Sequence, residues 1–292
     1  MIAAGPRSGA DAAPGEGGRL AEDGSLRSMV SLYLTLMRTS VINQFQYPVA
    51  AYLYMIGMVA EPVIYLVVWS TIAEEQGGSV AGYTPSTFAA YYIVWTLVRN
   101  INVVFTPYGW EWRIREGELS AQLLKPVHPI HYDLGWFAGT KVVVVLLWLP
   151  IAVVLSLLFK PELSPTAQQI AVFAVAIWGA YVLRSLYMWV LGMVTFWTTR
   201  VGALFELVWV TEMLLSGRIV PLALLPDWAE RLSWLLPFRW TFGFPITALV
   251  GPIDGAELIG GLGMQLLWIA FFALVVRGFW RVSVRHYGAV GG

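Results

Sequence analysis

The chain has 292 residues, 58% of them hydrophobic and only 12% charged, with 18 Lys or Arg against 18 Asp or Glu. A soluble domain carries about 25% charge, so too little polar surface remains to coat a water-soluble globule, and the mean hydropathy of +0.67 agrees. These figures exclude disorder over most of the chain, disfavour a soluble two-domain enzyme and argue against a strongly basic nucleic-acid binder; with no cysteine, disulfides, thiolate metal sites and cysteine nucleophiles are excluded.

Residues 1–25 are rich in Gly, Ala and acids and lack the apolar stretch of a signal peptide, so a disordered cytoplasmic tail is expected there. Over 26–46 the pattern becomes helical. Leu26, Val30, Tyr33, Met37, Val41 and Phe45 share one face, and Arg27, Ser31, Thr35, Arg38 and Asn43 lie largely opposite. That spacing predicts an amphipathic helix lying in the membrane interface, ended by Pro48.

A bilayer core about 30 Å thick needs roughly 20 mainly apolar residues per helix. Six spans are predicted: Val49–Ala73, Ser86–Phe105, Leu134–Phe159, Ala167–Thr199, Val201–Ser216 and Leu258–Trp280. Two more polar segments interrupt them, at 107–133 and 217–255. Basic residues orient the array. With the N-terminus inside, Arg7, Arg19, Arg27, Arg38, Arg113, Arg115, Lys125, Lys141, Arg200, Arg277, Arg281 and Arg285 are internal, while Lys160, Arg218, Arg231 and Arg239 are external. Both termini are therefore expected in the cytoplasm, which makes 107–133 a cytoplasmic loop and 286–292 a cytoplasmic tail. The outer segment 217–255 is rich in Pro and Trp, and its apolar stretches Leu222–Leu225 and Trp234–Phe238 are too short to span, so they should dip partway into the outer leaflet or cap the helices.

Little supports catalysis. The histidines are His128, His131 and His286, none of them inside a span, so a Ser–His intramembrane hydrolase lacks its base. His128, His131 and Asp133 lie close together, but no thiolate or HExxH accompanies them and no metal site is expected. No phosphate-binding loop occurs, so the chain is expected to carry no cofactor and not to hydrolyse ATP itself.

Glu61, Arg99, Arg184, Glu206 and Glu212 fall inside the spans. Each costs about 2.5–3.5 kcal/mol at mid-helix on insertion scales, so each should find a partner. Glu61 and Arg99 fall near the same depth and can pair; Arg184 can pair with Glu206 or Glu212. Such pairs read either as a polar lining or gate, or as static bridges that fix helix packing. Trp95, Phe205, Trp209 and Met213 lie in spans two and five, where they line a path for an apolar or amphipathic cargo or simply pack. Gly135 and Gly139 form a GxxxG that permits close helix approach. In the cytoplasmic loop, Glu111–Glu116 is predicted helical, Gly117 ends that helix, and Leu119, Leu123 and Leu124 would waste apolar surface if merely solvated, which suits docking to a cytosolic partner.

The loop EGELSAQLLKPVHP from Glu116 resembles the cytoplasmic loop of ABC-2-type transporter permeases, in Gly117, Leu119, Leu124 and Pro126. The stretch SGRIVPLALLPDW from Ser216, followed by LPFRWTFGFP from Leu236 and Leu249-Val250-Gly251, is similar to that family's outer segment between spans five and six. The resemblance covers residues 26–285. It implies an all-α polytopic fold of six transmembrane helices, an N-terminal interfacial helix and outer re-entrant helices. It also implies a second permease, as homodimer or paired paralogue, and two cytosolic ABC ATPase subunits that hold ATP and Mg and drive export by alternating access. Arg113, Arg115, Glu116, Gly117, Glu118, Leu119, Leu123 and Leu124 would match the ATPase-coupling element. Ser216, Gly217, Pro221, Pro226, Pro237 and Phe238 would match an outer gate, and spans two and five would face the central cavity. The expected setting is the plasma membrane, with lipid around it and no nucleic-acid partner. A cavity with few charges favours hydrophobic or amphipathic cargo. Two alternatives stand against this reading: a secondary transporter carrying protons on Glu61, Glu206 or Glu212, disfavoured because residues 49–159 and 167–280 show no convincing repeat, and a membrane enzyme, disfavoured because the spans hold no His or Asp.

Overall fold

The computed structural model describes residues 26–46, 48–198 and 201–287. The expected tail at 1–25 lies outside them, as do Arg200 and the chain beyond 287. Regular structure among the described residues is helical, apart from one isolated bridge between Val80 and Tyr83. The helices are α1 (Leu26–Phe45), α2 (Pro48–Glu75), α3 (Pro85–Ile101), α4 (Pro107–Arg115), α5 (Glu118–Leu123), α6 (Pro129–Phe159), α7 (Ala167–Met193), α8 (Gly202–Leu215), α9 (Asp227–Trp234), α10 (Gly243–Val250) and α11 (Gly255–Ser283).

Local chemistry sets several helix starts. At α3, the Thr84 hydroxyl accepts from the Thr87 amide, the Thr87 hydroxyl accepts from the Thr84 amide, and Pro85 opens the first turn. Thr166 and Gln169 repeat the device at α7, and Asp254 caps α11. Among the described residues three stretches are long and apolar enough to cross a membrane: Pro129–Phe159, Ala167–Phe196 and Gly255–His286. The 17 residues of α3 and 14 of α8 reach only about 25 Å and 21 Å at ~1.5 Å per residue. The apolar run expected as span two thus loses its helix at Ile101. Asn102 ends it and turns its side-chain amide to the Thr241 carbonyl, 2.7 Å away.

One end of the bundle carries Tyr83, where α3, α7 and α11 begin; the other carries Trp110, where α6 begins and α7 and α11 finish. The main core runs along α3 and α7 and takes in Trp240, Phe242, Phe244 and Ile246. At the Trp110 end a second cluster joins Trp110, Leu119, Trp189, Met193 and Val276. Trp110 meets Trp189 edge-on with ring centroids 4.7 Å apart, a favoured aromatic geometry.

Helix α1 does not lie apart from the bundle. The GxxxG of α6 is its seat: a Cβ at Gly139 would stand 2.5 Å from the Met37 carbonyl oxygen, and one at Gly135 would stand 2.7 Å from a Leu36 methyl. Tyr33 hydrogen-bonds His131 at 2.9 Å, and Ser40 is fully buried. The contacts advance together, from Tyr33 on His131 to Ser40 on Gly139, so this stretch runs alongside α6. The packed stripe is Tyr33, Leu36, Met37 and Ser40. Leu26, Val30 and Phe45, from the apolar face expected to lie in the membrane interface, are exposed, while Tyr33 and Met37 of the same face pack on α6. Two glycines at i and i+4 offer the groove that seats them.

Candidate functional site

Charges collect in the middle of the bundle. Glu61 stands one residue before Pro62 in α2, and its carboxylate meets Arg99 of α3 at 2.7 Å and Arg218 at 3.5 Å. Tyr65 donates to the same carboxylate at 3.4 Å. Glu61 and Arg99 keep 30% and 21% of their side chains exposed, so this pair is partly open. Arg218 is buried, its guanidinium 5.7–6.0 Å from the ring centres of Trp95, Trp209 and Phe242. Counting Arg218 among the external loop cations therefore misplaces it. Gly217, at φ +88°, reverses the chain just after α8 and returns Arg218 inward; a Cβ there would sit 2.9 Å from the Tyr91 hydroxyl.

The second pair is Arg184 of α7 with Glu212 of α8, at 3.0 Å. Glu212 is wholly buried, and Tyr187 donates to its other oxygen at 2.9 Å. Phe242 links the two pairs, with Arg184 5.5 Å and Arg218 5.9 Å from its ring centre. Three guanidiniums thus share two carboxylates, and the Nε atoms of Arg184 and Arg218 have no acceptor. Glu206, the other partner considered for Arg184, turns outward and accepts from the Tyr108 hydroxyl at 2.8 Å.

The aromatic candidates divide. Trp95 is fully buried beneath Arg99 and Arg218 and lines no open space. Phe205 stands edge-on to Tyr108 at 5.1 Å, while Trp209 and Met213 are half-buried on α8. Lys141, counted with the internal cations, is buried in the middle of α6. Its ammonium donates to the Val103 carbonyl and lies 5.6 Å and 5.3 Å from the rings of Phe137 and Tyr181. It thereby ties down the non-helical residues that follow α3.

The segment after α8 is bound from several sides. The Gly243 amide donates to the Ser216 carbonyl at 2.7 Å, Tyr91 donates to the Gly217 carbonyl at 2.6 Å, and Tyr92 donates to the Ile219 carbonyl at 2.8 Å. Gln265 gives both amide hydrogens, to the carbonyls of Ala176 and Trp240, each at 2.9 Å. Gln265 stands about 15 Å along α11 from Gly255, so Trp240 sits well inside the bundle. From there α10 leads back to Gly251, whose carbonyl accepts from Gln169 near the start of α7, at 3.0 Å. Of the residues expected in a gate, Ser216, Gly217, Pro221, Pro237 and Phe238 are buried and Pro226 is exposed.

At the Trp110 end, Arg113 makes two hydrogen bonds to Asp133, at 2.8 and 3.1 Å, and lies 4.0 Å from the Phe105 ring centre. Trp189 donates to the same carboxylate at 3.0 Å. Arg113 and Leu119 are buried, and Leu123 packs against the aromatic cluster, so these three hold the element from inside. Arg115, Glu116, Glu118 and Leu124 face outward, Leu124 with 88% of its surface exposed. Gly117, at φ +72°, makes the turn between α4 and α5. His128 is wedged between the Trp189 and Trp280 rings, and burial pushes its pKa down from 6.5 to about 4. Among the described residues no group of three or more metal-ligating side chains comes together.

A family model described as "ABC-2 family transporter protein" matches residues 59–291, from just before Glu61 through the last helix. A search of curated proteins finds no match.

Proposed function

The chain belongs to the ABC-2 transporter family, and we propose that it is the transmembrane permease of an ATP-driven exporter, working as one of two permeases above two cytosolic ATPase subunits. In this reading the Trp110 end faces the cytoplasm, both termini lie there, and the membrane is the plasma membrane. Six helices cross: α2, α3, α6, α7, α8 and α11. The short α3 and α8 are completed by the segment after Gly217, which re-enters from outside and forms the outer gate with Ser216, Gly217, Pro221, Pro226, Pro237 and Phe238. ATP and Mg sit on the partner. Hydrophobic or amphipathic cargo moves by alternating access along the α2–α8 face, with Glu61 and Arg99 as its polar lining and Trp209, Phe205 and Met213 beside it.

The observation that carries this reading is the shape of the α4–α5 element. Arg113, Leu119 and Leu123 anchor it from within, while Arg115, Glu116, Glu118 and Leu124 stand outward at the same end. An exposed leucine beside mixed charges on a rigid mount suits docking to a soluble partner better than solvation does. A proton carrier is less well served, because Glu61 and Glu212 are already held in ion pairs.

The test is co-purification with a cytosolic ABC ATPase from the same cells. Arg115→Glu combined with Leu124→Asp is expected to abolish the association while leaving thermal stability within about 0.5 kcal/mol, since both are exposed. Transport by the chain alone in proteoliposomes, without any ATPase, would overturn the reading.

A further inference from the structure

A cavity of about 440 Å³ lies where α9, the turn after it and α10 meet α11. That is within the size range of small-ligand sites. Its charged wall comprises Arg239 and the carboxylates of Glu230 and Glu257. Arg239 lies flat on Trp234, 3.8 Å from its ring centre, with one nitrogen 3.3 Å from the Ser233 hydroxyl. No carboxylate comes within 4.0 Å of it, and neither glutamate has a basic partner within that distance among the described residues. Three charged groups therefore surround one space with no direct ion pair among them, although Arg239 lies within electrostatic reach of Glu230.

The opposite wall is apolar and belongs to α11. Glu257 is in its first turn and Met264 lies about 10 Å further along the axis. Glu257 thus places a carboxylate at the Tyr83 end of the bundle, and Met264 an apolar wall deeper in. Gly260 keeps it open: a Cβ there would meet nothing within 4 Å. The indole N–H of Trp240, also in the wall, has no acceptor. On the same helix Ile259, Leu266 and Leu267 are exposed, the surface that acyl chains cover in a membrane.

We propose that this cavity binds a phospholipid whose headgroup carries both a phosphate and a primary ammonium. Arg239 takes the phosphate, Glu230 and Glu257 take the ammonium, and the glycerol and first methylenes follow Gly260 toward Met264. Two carboxylates against one guanidinium disfavour an anionic lipid. A trimethylated headgroup brings no N–H donors to the carboxylates and forfeits the charge-assisted hydrogen bonds. The site lies apart from the α4–α5 element and the Glu61–Arg99 pair, so it goes beyond the permease reading and does not depend on ATP coupling.

Native mass spectrometry of the full chain, purified with whatever subunits accompany it and exchanged into defined lipids, provides the test. Phosphatidylethanolamine is expected to be retained about tenfold more than phosphatidylglycerol, the scale of one charge-assisted hydrogen bond, and more than phosphatidylcholine. Glu230→Gln with Glu257→Gln should erase the preference. Gly260→Leu should project into the cavity and lower retention while the thermal midpoint holds, because a Cβ at 260 meets nothing within 4 Å. Equal retention of the three lipids, or wild-type retention by Gly260→Leu, overturns the proposal. Competition by soluble glycerophosphoethanolamine as effective as by the lipid also overturns it. Failure of the chain to bind an ATPase would leave these readouts intact.

Discussion

Two arginine–carboxylate pairs inside the bundle sit in opposite settings. Arg113 and Asp133 are closed in, joined by two hydrogen bonds, roofed by Phe105 and Trp110 and braced by Trp189. Glu61 and Arg99 are partly open, and Glu61 divides its charge between Arg99 and Arg218. The first pair has one arrangement and no room for another. The second has two cations competing for one anion, borne on α3 and on the segment after α8. A small shift of either element changes which cation is neutralised. Both pair an arginine with a carboxylate; the surroundings make one pair a rivet and leave the other adjustable.

The largest effect should come from the closed pair. Asp133→Ala strands Arg113 among aromatic rings, and removing one partner of a buried pair costs about 3–5 kcal/mol. The expected result is a large drop in the thermal midpoint in detergent, with loss of the ATPase complex because α4 and α5 lose their mount. Asp133→Ala with wild-type stability would show that the closed pair is not a rivet.

Glu61→Gln should act differently. Arg99 is partly exposed and solvates when the carboxylate is lost, while buried Arg218 keeps its aromatic neighbours and the nearby Glu212 charge, so stability should fall by less than in Asp133→Ala. Transport in the reconstituted complex should fall far more than stability does. A stability loss as large as that of Asp133→Ala would mean that the open face is sealed by lipid or protein, and the comparison would fail.

Exchange of the charges sharpens the point. Glu61→Arg with Arg99→Glu restores a simple two-body bridge. Here it should restore only part of the transport lost in Glu61→Gln, because an arginine at 61 faces Arg218. Adding Arg218→Gln to the exchange should recover more. Full recovery by the exchange alone would show that Arg218 does not share the carboxylate, a departure from additivity that a double-mutant cycle measures directly.

These contrasts explain what could and could not be read from the residues. Pairing of Glu61 with Arg99 is legible, because insertion cost demands a partner and depth can be counted along two helices. The partner of Arg184 is not. Glu206 and Glu212 stand about 120° apart around α8, and nothing local says which side α8 turns to α7. Arg218 escapes notice because its burial depends on the positive φ of Gly217. Lys141 escapes because its partners are a carbonyl freed where α3 ends early and two rings, none of them charged. Helical content and apolar length follow from composition and periodicity; the course of α1 follows from backbone contact at Gly139, which no hydrophobic pattern encodes.

The smallest predicted effect tests how tightly the closed end is built. His128 packs against Trp189, the same indole that donates to Asp133. Burial lowers its pKa from 6.5 to about 4. Above pH 6.5 the ring is neutral in both folded and unfolded chains and contributes no pH dependence. As pH falls from 6.5 toward 4, the unfolded chain takes up the proton and the folded chain resists it, so stability declines through that window. The thermal midpoint should therefore drop between pH 7 and pH 5, and His128→Gln should flatten that part of the profile. An unchanged slope in the variant would mean that the ring is open to water, and the Trp110 end would then be no more closed than the Glu61 face.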